Sequence, residues 1–150
     1  MRAFKSLRGT PAEAVFKKAV SATAISVLSD SQKNLKENGS QATGKAFSSG
    51  KVEPIETTSS NITSGVSYDA NYAYYIEFGR KAGRMPPTDE IEQWLQKKGL
   101  SHSAYAVAKS IAQKGTEAKP FLYPALKKNR NTMTKYFKQY YDEFIKQFTG

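Results

Sequence analysis

Few residues in this chain could carry chemistry. It holds one histidine, His102, and no cysteine. Paired-histidine metal sites, thiolate sites and Cys–His dyads therefore have no material. His102 follows Ser101 near the start of a predicted helix, where a solvated imidazole is the expected role. A Ser-His-Asp triad would have to use it, yet no serine stands in a Gly-x-Ser-x-Gly setting. Asp89, Glu90 and Glu92 could pair as acid and base or hold a metal. They are better explained as first-turn acids of a helix, where the helix dipole favours them. Gly79 and Gly83 lack the strand–glycines–helix order of a dinucleotide fingerprint, and no Gly-Lys-Ser/Thr phosphate loop is present. The sequence thus predicts no catalytic residue, no cofactor and no metal, in a protein that is not an enzyme.

One stretch asks for an explanation of another kind: "YAYYIEFGRKAGRMPP", residues 72–87. Aromatics interleaved with bases could stack nucleotides. Alternatively, Tyr72, Tyr75 and Phe78, at spacings of three, form one helix face against a core. The second reading is the expectation here, with the basic loop 80–84 left over for contacts.

These residues must be positioned by a chain of 150 residues, the size of one domain spanning 1–150. An apolar fraction of 39%, with one Trp, nine Tyr and eight Phe, is enough for a core and argues against general disorder. No run of about 18 apolar residues occurs, so no membrane span and no membrane partner are expected. The basic N-terminus is not followed by a signal-peptide apolar block, and the lack of cysteine fits a reducing cytoplasm. The net charge is +10. It leaves nucleic acid, an anionic surface or an acidic protein open as partners. Lysine outnumbers arginine among the bases, which suits a solvated surface better than a base-reading one.

Periodicity outlines the elements. Thr10-Pro11-Ala12-Glu13 is a capping box with proline at the first helical position. Phe16, Val20, Val27 and Leu28, widened by Ala19, Ala24 and Ile25, carry the helix to about Leu35, and Asn38-Gly39 ends it. Residues 19–29 bear no charge, as in a helix buried on more than one side. A Gly/Ser/Lys-rich segment near 39–51 reads as a mobile loop. Val52 and Ile55, then Ile62 and Val66, suggest two short strands about a turn at 57–61, with Pro54 at an edge. Asp69 is the expected cap of a short helix closed by Gly79, and Thr88 of a helix stopped by Gly99. A further helix puts Tyr105, Ala108 and Ile111 inward and ends at Gly115. One long helix begins near Pro120, with Leu122, Leu126, Met133, Phe137, Tyr140, Phe144 and Phe148 near an a/d spacing. Tyr136, Tyr141 and Ile145 make that stripe wider than one packing face needs. The expected fold is α+β, with long N- and C-terminal helices on a small, mainly antiparallel sheet and two short inserted helices.

Tyr74-Tyr75-Ile76-Glu77-Phe78-Gly79, then Met85-Pro86-Pro87, then Gly115-Thr116, then Lys119-Pro120-Phe121-Leu122-Tyr123-Pro124-Ala125-Leu126 form a combination of some specificity. In this order behind a long N-terminal helix, it resembles the tail-completion, or head–tail joining, family of long-tailed bacteriophages. Arg80 stands where threonine is common in that family. Two helices are interposed between Pro87 and Pro120, as in the family's longer subgroup. In such a protein Glu77 sits among aromatics and, if buried, needs a partner, which Arg80 or Arg84 could supply. Gly79 permits the sharp exit that lets those arginines fold back. Pro120 and Pro124 fix the start of the last helix, while Phe121 and Leu122 anchor it.

The resemblance implies a structural virion protein at the neck. It would close the head-proximal end of the tail tube and join it to the head as a homo-oligomeric, hexameric ring. Its implied partners are the tail tube or terminator protein and the head connector or stopper protein, with weak contact to packaged DNA in the lumen. Lys81, Arg84, Met85, Tyr136, Tyr141 and Ile145 are the candidate contacts. The alternative class is a basic nucleic-acid-binding protein.

Overall fold

The computed structural model describes residues 9–40, 45–70 and 72–149, with side chains as far as Gln147. Helix α1 (Pro11–Glu37) is the axis. Thr10 caps it, its hydroxyl accepting from the Glu13 N–H at 3.3 Å, and Asn38 ends it. Along the uncharged stretch, Thr23 and Ser26 donate to the Ala19 and Ala22 carbonyls at 2.7 and 3.0 Å. Hydroxyls satisfied in this way are compatible with the crowded helix flanks. Val15, Ala19, Ala24, Val27, Ser31 and Leu35 are buried. Ile25 is not; it is 57% exposed, so the apolar stripe is narrower than expected.

A ribbon of strands lies against α1. Helix α2 (Lys45–Ser48) leads into β1 (Gly50–Val52), β2 (Glu56–Thr57), β3 (Ile62–Thr63) and β4 (Val66–Tyr68). β1 pairs antiparallel with β4, Lys51 opposite Ser67, and β2 with β3, Glu56 opposite Thr63. The ladder breaks around Pro54, which has no N–H to donate. In a two-stranded ribbon each strand is an edge, so the expected edge placement holds. The turn is closed by Thr58 N–H to the Asn61 carbonyl at 2.8 Å. Of the segment expected as a mobile loop, residues 41–44 lie outside the described residues, whereas 45–48 are helical and 50–51 are in a strand.

Five helices follow: α3 (Ala73–Phe78), α4 (Thr88–Lys98), α5 (Ala104–Lys114), α6 (Leu122–Lys128) and α7 (Thr132–Thr149). The fold is α+β, with long helices near both ends and a small antiparallel ribbon. α4 and α5 pack on each other as an excursion between α3 and α6. The core joins Leu35, Ala46, Ala73 and Phe121, with Tyr68, Tyr72, Ile76 and Leu122 around them. Phe121 is 2% exposed, a burial that contributes about 2 kcal/mol. Tyr68 meets it edge-on, with ring centroids 4.9 Å apart, and shares a 2.6 Å hydrogen bond with buried Ser31. Burial raises the Tyr68 phenol above its ordinary pKa, an effect the Ser31 contact partly offsets. Further along, Phe16 stacks on Phe137 at 4.4 Å and ties α1 to α7.

Several local expectations need correction. Asp69 caps no helix. Tyr72 occupies the α3 cap position without a side-chain bond, and Asp69 pairs with Lys51 at 3.1 Å. That pair and nearby Glu53 raise the Lys51 pKa. Thr88 lies inside α4, with Pro87 at the cap position. Tyr105 points outward, while Ala108 is buried. The expected single C-terminal helix is two. Asn129 donates to the Ala125 carbonyl at 3.0 Å and to Asp30 Oδ2 at 2.6 Å, and accepts from Thr132 Oγ1 at 3.1 Å. An asparagine so engaged competes with helix continuation. The Asn-Arg-Asn-Thr run was the signal for a break. Leu126 and Met133, 57% and 48% exposed, therefore leave the expected stripe. They line a shallow groove of about 160 Å³ against Val20, Val27 and Val66. Phe148 lies beyond the described side chains.

Candidate functional site

Glu77 organises the corner between α3 and α6. Its side chain is buried, at 8% exposure. Oε2 accepts from the Phe121 and Leu122 N–H groups at 2.8 and 2.9 Å, and Oε1 from the Tyr123 N–H at 2.9 Å. These are unsatisfied donors at the start of α6, where a carboxylate is also favoured by the helix dipole. The partner expected from the sequence, Arg80 or Arg84, is not the one used. A helix terminus provides several N–H groups converging on one point, which satisfies a buried carboxylate without burying a second charge.

The segment before α6 is gripped from α1 as well. Asn34 Nδ2 donates to the Phe121 carbonyl at 2.8 Å, and Asn38 Nδ2 to the Lys119 and Pro120 carbonyls at 3.1 and 3.2 Å. Lys119 N–H reaches the Ile76 carbonyl at 2.7 Å. Pro120 is exposed and acts through its carbonyl and fixed φ. Pro124 sits in the first turn of α6, where its missing N–H costs nothing. Asn34 was not singled out in the sequence and Asn38 only as the stop of α1, because spacing does not show what a side chain at a helix end will reach.

Gly79 and Gly115 close the stem below the α4–α5 excursion. Between them Arg80 and Thr116 form a two-way bridge: Arg80 N–H to the Thr116 carbonyl at 2.9 Å, and Thr116 N–H to the Arg80 carbonyl at 2.8 Å. Both glycines have positive φ, 72° and 74°. A Cβ on Gly79 would stand 2.7 Å from the Thr116 carbonyl oxygen, and one on Gly115 2.1 Å from that of Arg80. Only glycine fits both backbone and space.

Of the three aromatics expected against the core, Tyr72 is there and Tyr75 and Phe78 face outward. Tyr72 packs toward the core, its hydroxyl accepting from the Ala46 N–H at 2.5 Å. Tyr74, Tyr75 and Phe78 are 63, 44 and 66% exposed. Buried Ala73 and Glu77 take the inner side, four residues apart, with half-buried Ile76 beside them. The carboxylate's need for the α6 donors fixes the roll of this short helix and turns the rings outward. Tyr74 touches Phe78 at 4.8 Å and Tyr75 at 5.7 Å. The Arg80 guanidinium lies over Tyr75 at 5.3 Å and donates to the Arg84 carbonyl. Lys81, Arg84 and Met85 are exposed beside them; Pro86 is half-buried and Pro87 exposed.

The other candidate contacts lie on α7. Tyr136 is half-buried and shares a 3.0 Å hydrogen bond with Ser26, so it is a contact within the chain. Tyr141 and Ile145 are 47 and 38% exposed, with Tyr141 stacked on Phe137. The structure thus gathers the α3, 115–116 and 119–124 residues into one corner and leaves the α7 residues apart from it. At the far end of α6, Asp30 binds Lys128 at 2.7 Å as well as Asn129. The Lys128 contact holds the Asp30 carboxyl below its ordinary pKa, Asn129 adding to this and burial opposing it. His102 and the acids Asp89, Glu90 and Glu92 are exposed. Among the described residues no group of three or more His, Cys, Asp or Glu could hold a metal. No protein-family model, curated protein or solved structure matches this chain.

Proposed function

We propose that this chain is a non-enzymatic structural protein of a long-tailed bacteriophage. In this reading it closes the head-proximal end of the tail tube and joins it to the head as a homo-oligomeric, hexameric ring. It would be assembled in the host cytoplasm and belong to the virion neck. The observation that carries the reading is the convergence at Glu77. The residues on which the family resemblance rests are far apart in sequence, yet Glu77 bonds directly to the backbone of 121–123, and Gly79 and Gly115 flank one bridge. These parts of the motif set form a single scaffold element. Its exposed rim, Lys81, Arg84 and Met85, is then available to the tail tube or terminator protein and to the head connector or stopper protein. A ring follows if one patch of each copy meets a different patch of the next and the rotation closes.

Quantitative mass spectrometry of purified particles, counting this chain against the major tail subunit, tests the reading. About six copies per particle is the expected result; absence from particles whose tails are joined overturns it. The outward rings of α3 beside Arg80, Lys81 and Arg84 favour one second reading, a nucleic-acid-binding protein. That reading predicts affinity for DNA falling by powers of ten over a fourfold rise in salt, whereas the neck reading predicts only weak contact with DNA in a lumen.

A further inference from the structure

Among the described residues, Arg80, Lys81 and Arg84 are cations with no carboxylate partner. Glu77, the nearest acid in sequence, is turned inward and taken up by three backbone N–H groups. Among the described residues no ion pair involves any of the three. Beside them stand exposed Tyr74, Tyr75, Phe78 and Met85. Cations clustered around exposed aromatics, with Arg80 held over Tyr75, make a surface whose occupant must be both anionic and apolar. Aromatic anchors with arginine at their edge are the usual composition of a protein-contact centre.

We propose that this face, α3 with loop 80–85, docks an acidic, apolar segment of a neighbouring protein. The preference for a protein occupant rests on the structural-protein reading above and on the ring geometry. Tyr74 and Tyr75 meet at 85° and Tyr74 and Phe78 at 46°, and one face of Tyr75 is covered by Arg80. Successive bases stack on open ring faces; here the rings lean on one another and offer edges and clefts. An aliphatic or aromatic side chain would pack against these ring edges while flanking carboxylates reach Lys81 and Arg84. The face is preformed, because the Glu77 cap and the Arg80–Thr116 bridge hold its base. Binding therefore costs little ordering of the receptor.

The full chain is titrated at moderate salt with four labelled probes. Three are peptides of equal length: glutamate alternating with leucine and phenylalanine, lysine with the same apolar residues, and glutamate with serine. The fourth is oligothymidylate. The acidic apolar peptide is expected to bind at least about tenfold more tightly than the other peptides and the oligonucleotide. The double change Lys81→Glu with Arg84→Glu, and separately Phe78→Ser, should each weaken it by about tenfold or more. Reversing the exposed lysines Lys138 and Lys146, on α7 apart from this corner, should not. Arg80 is left intact because it braces the corner, and circular dichroism confirms that the variants fold.

Tighter binding of oligothymidylate, lost in the same variants, overturns the proposal in favour of nucleic acid. Self-association of the wild type that Phe78→Ser abolishes overturns it in favour of a second copy. Absent peptide binding, or binding indifferent to these changes, overturns it outright. Copy number in particles is read separately. Peptide binding by a chain absent from particles would sink the neck assignment alone, and about six copies per particle without peptide binding would sink this docking face alone.

Discussion

Helix α6 is held at both ends by a carboxylate, in contrasting ways. At its start, Glu77 is buried and bonded only to backbone N–H groups. At its end, Asp30 bonds to two side chains, one of them the largely exposed Lys128. The first arrangement depends on geometry: three donors converge because a helix begins there, and water and salt scarcely reach them. The second depends on charge that solvent screens. The same residue class thus serves as a structural keystone in one place and as a modest surface brace in the other, and burial decides which.

The contrast can be broken most severely at Glu77. Glu77→Ala leaves three backbone donors at the start of α6 without their acceptor and should cost about 3 kcal/mol, read from urea unfolding. Glu77→Gln keeps the shape but sets an NH₂ against backbone donors, and should recover less than half of that loss. Next comes the stem. Gly115→Ala places a methyl against the Arg80 carbonyl at a left-handed φ and should cost about 2 kcal/mol or more. If it is tolerated, the Arg80–Thr116 bridge is not what holds the α4–α5 excursion to the corner.

Asp30→Asn should cost about 1 kcal/mol, less in high salt, whereas the Glu77 loss should be indifferent to salt. Its pH dependence has a definite sign. The folded carboxyl is held below its ordinary value of 3.8, so its contribution is complete above that value and disappears as pH falls below it through the folded pKa. The stability difference between wild type and Asp30→Asn should be flat near neutrality and shrink in acid. A difference that grows in acid would reverse the assignment. Smallest of all, Phe78→Ser should change stability by no more than about 0.5 kcal/mol, since the ring is exposed. A large loss would mean that α3 is held by its aromatics and not by Glu77.

Much of the scaffold was legible in the sequence. The Thr10 capping box, Asn38 as terminator of α1, the hairpin turn near 57–61 (one residue early, since Thr57 is still in β2) and the stops at Gly79, Gly99 and Gly115 follow from local chemistry. Proline, glycine and capping side chains act within a few residues, so their signals survive without tertiary context. The same locality misled where neighbours were equally plausible caps, as with Asp69 and Thr88. It also misled where one helix was run from Pro120 through Asn129: that asparagine breaks the C-terminal helix while bonded to Asp30, 99 residues away.

The candidate site was legible in its membership but not in its wiring. Glu77, Gly79, Arg80 and 120–124 stood out from the sequence, and the structure brings them together. Which partner Glu77 takes, and hence which way Tyr74, Tyr75 and Phe78 face, could not be read from spacing, because a helix of six residues has too few turns for periodicity to fix its roll. By itself the sequence determined the α+β class, the long helix with its caps, and the scarcity of chemical groups. Only the tertiary structure decided that the buried acid is satisfied by a helix terminus and that the arginines remain outside. The physical reason is that a buried charge must find its hydrogen bonds wherever the fold gathers enough donors, and sequence does not reveal where distant backbone converges.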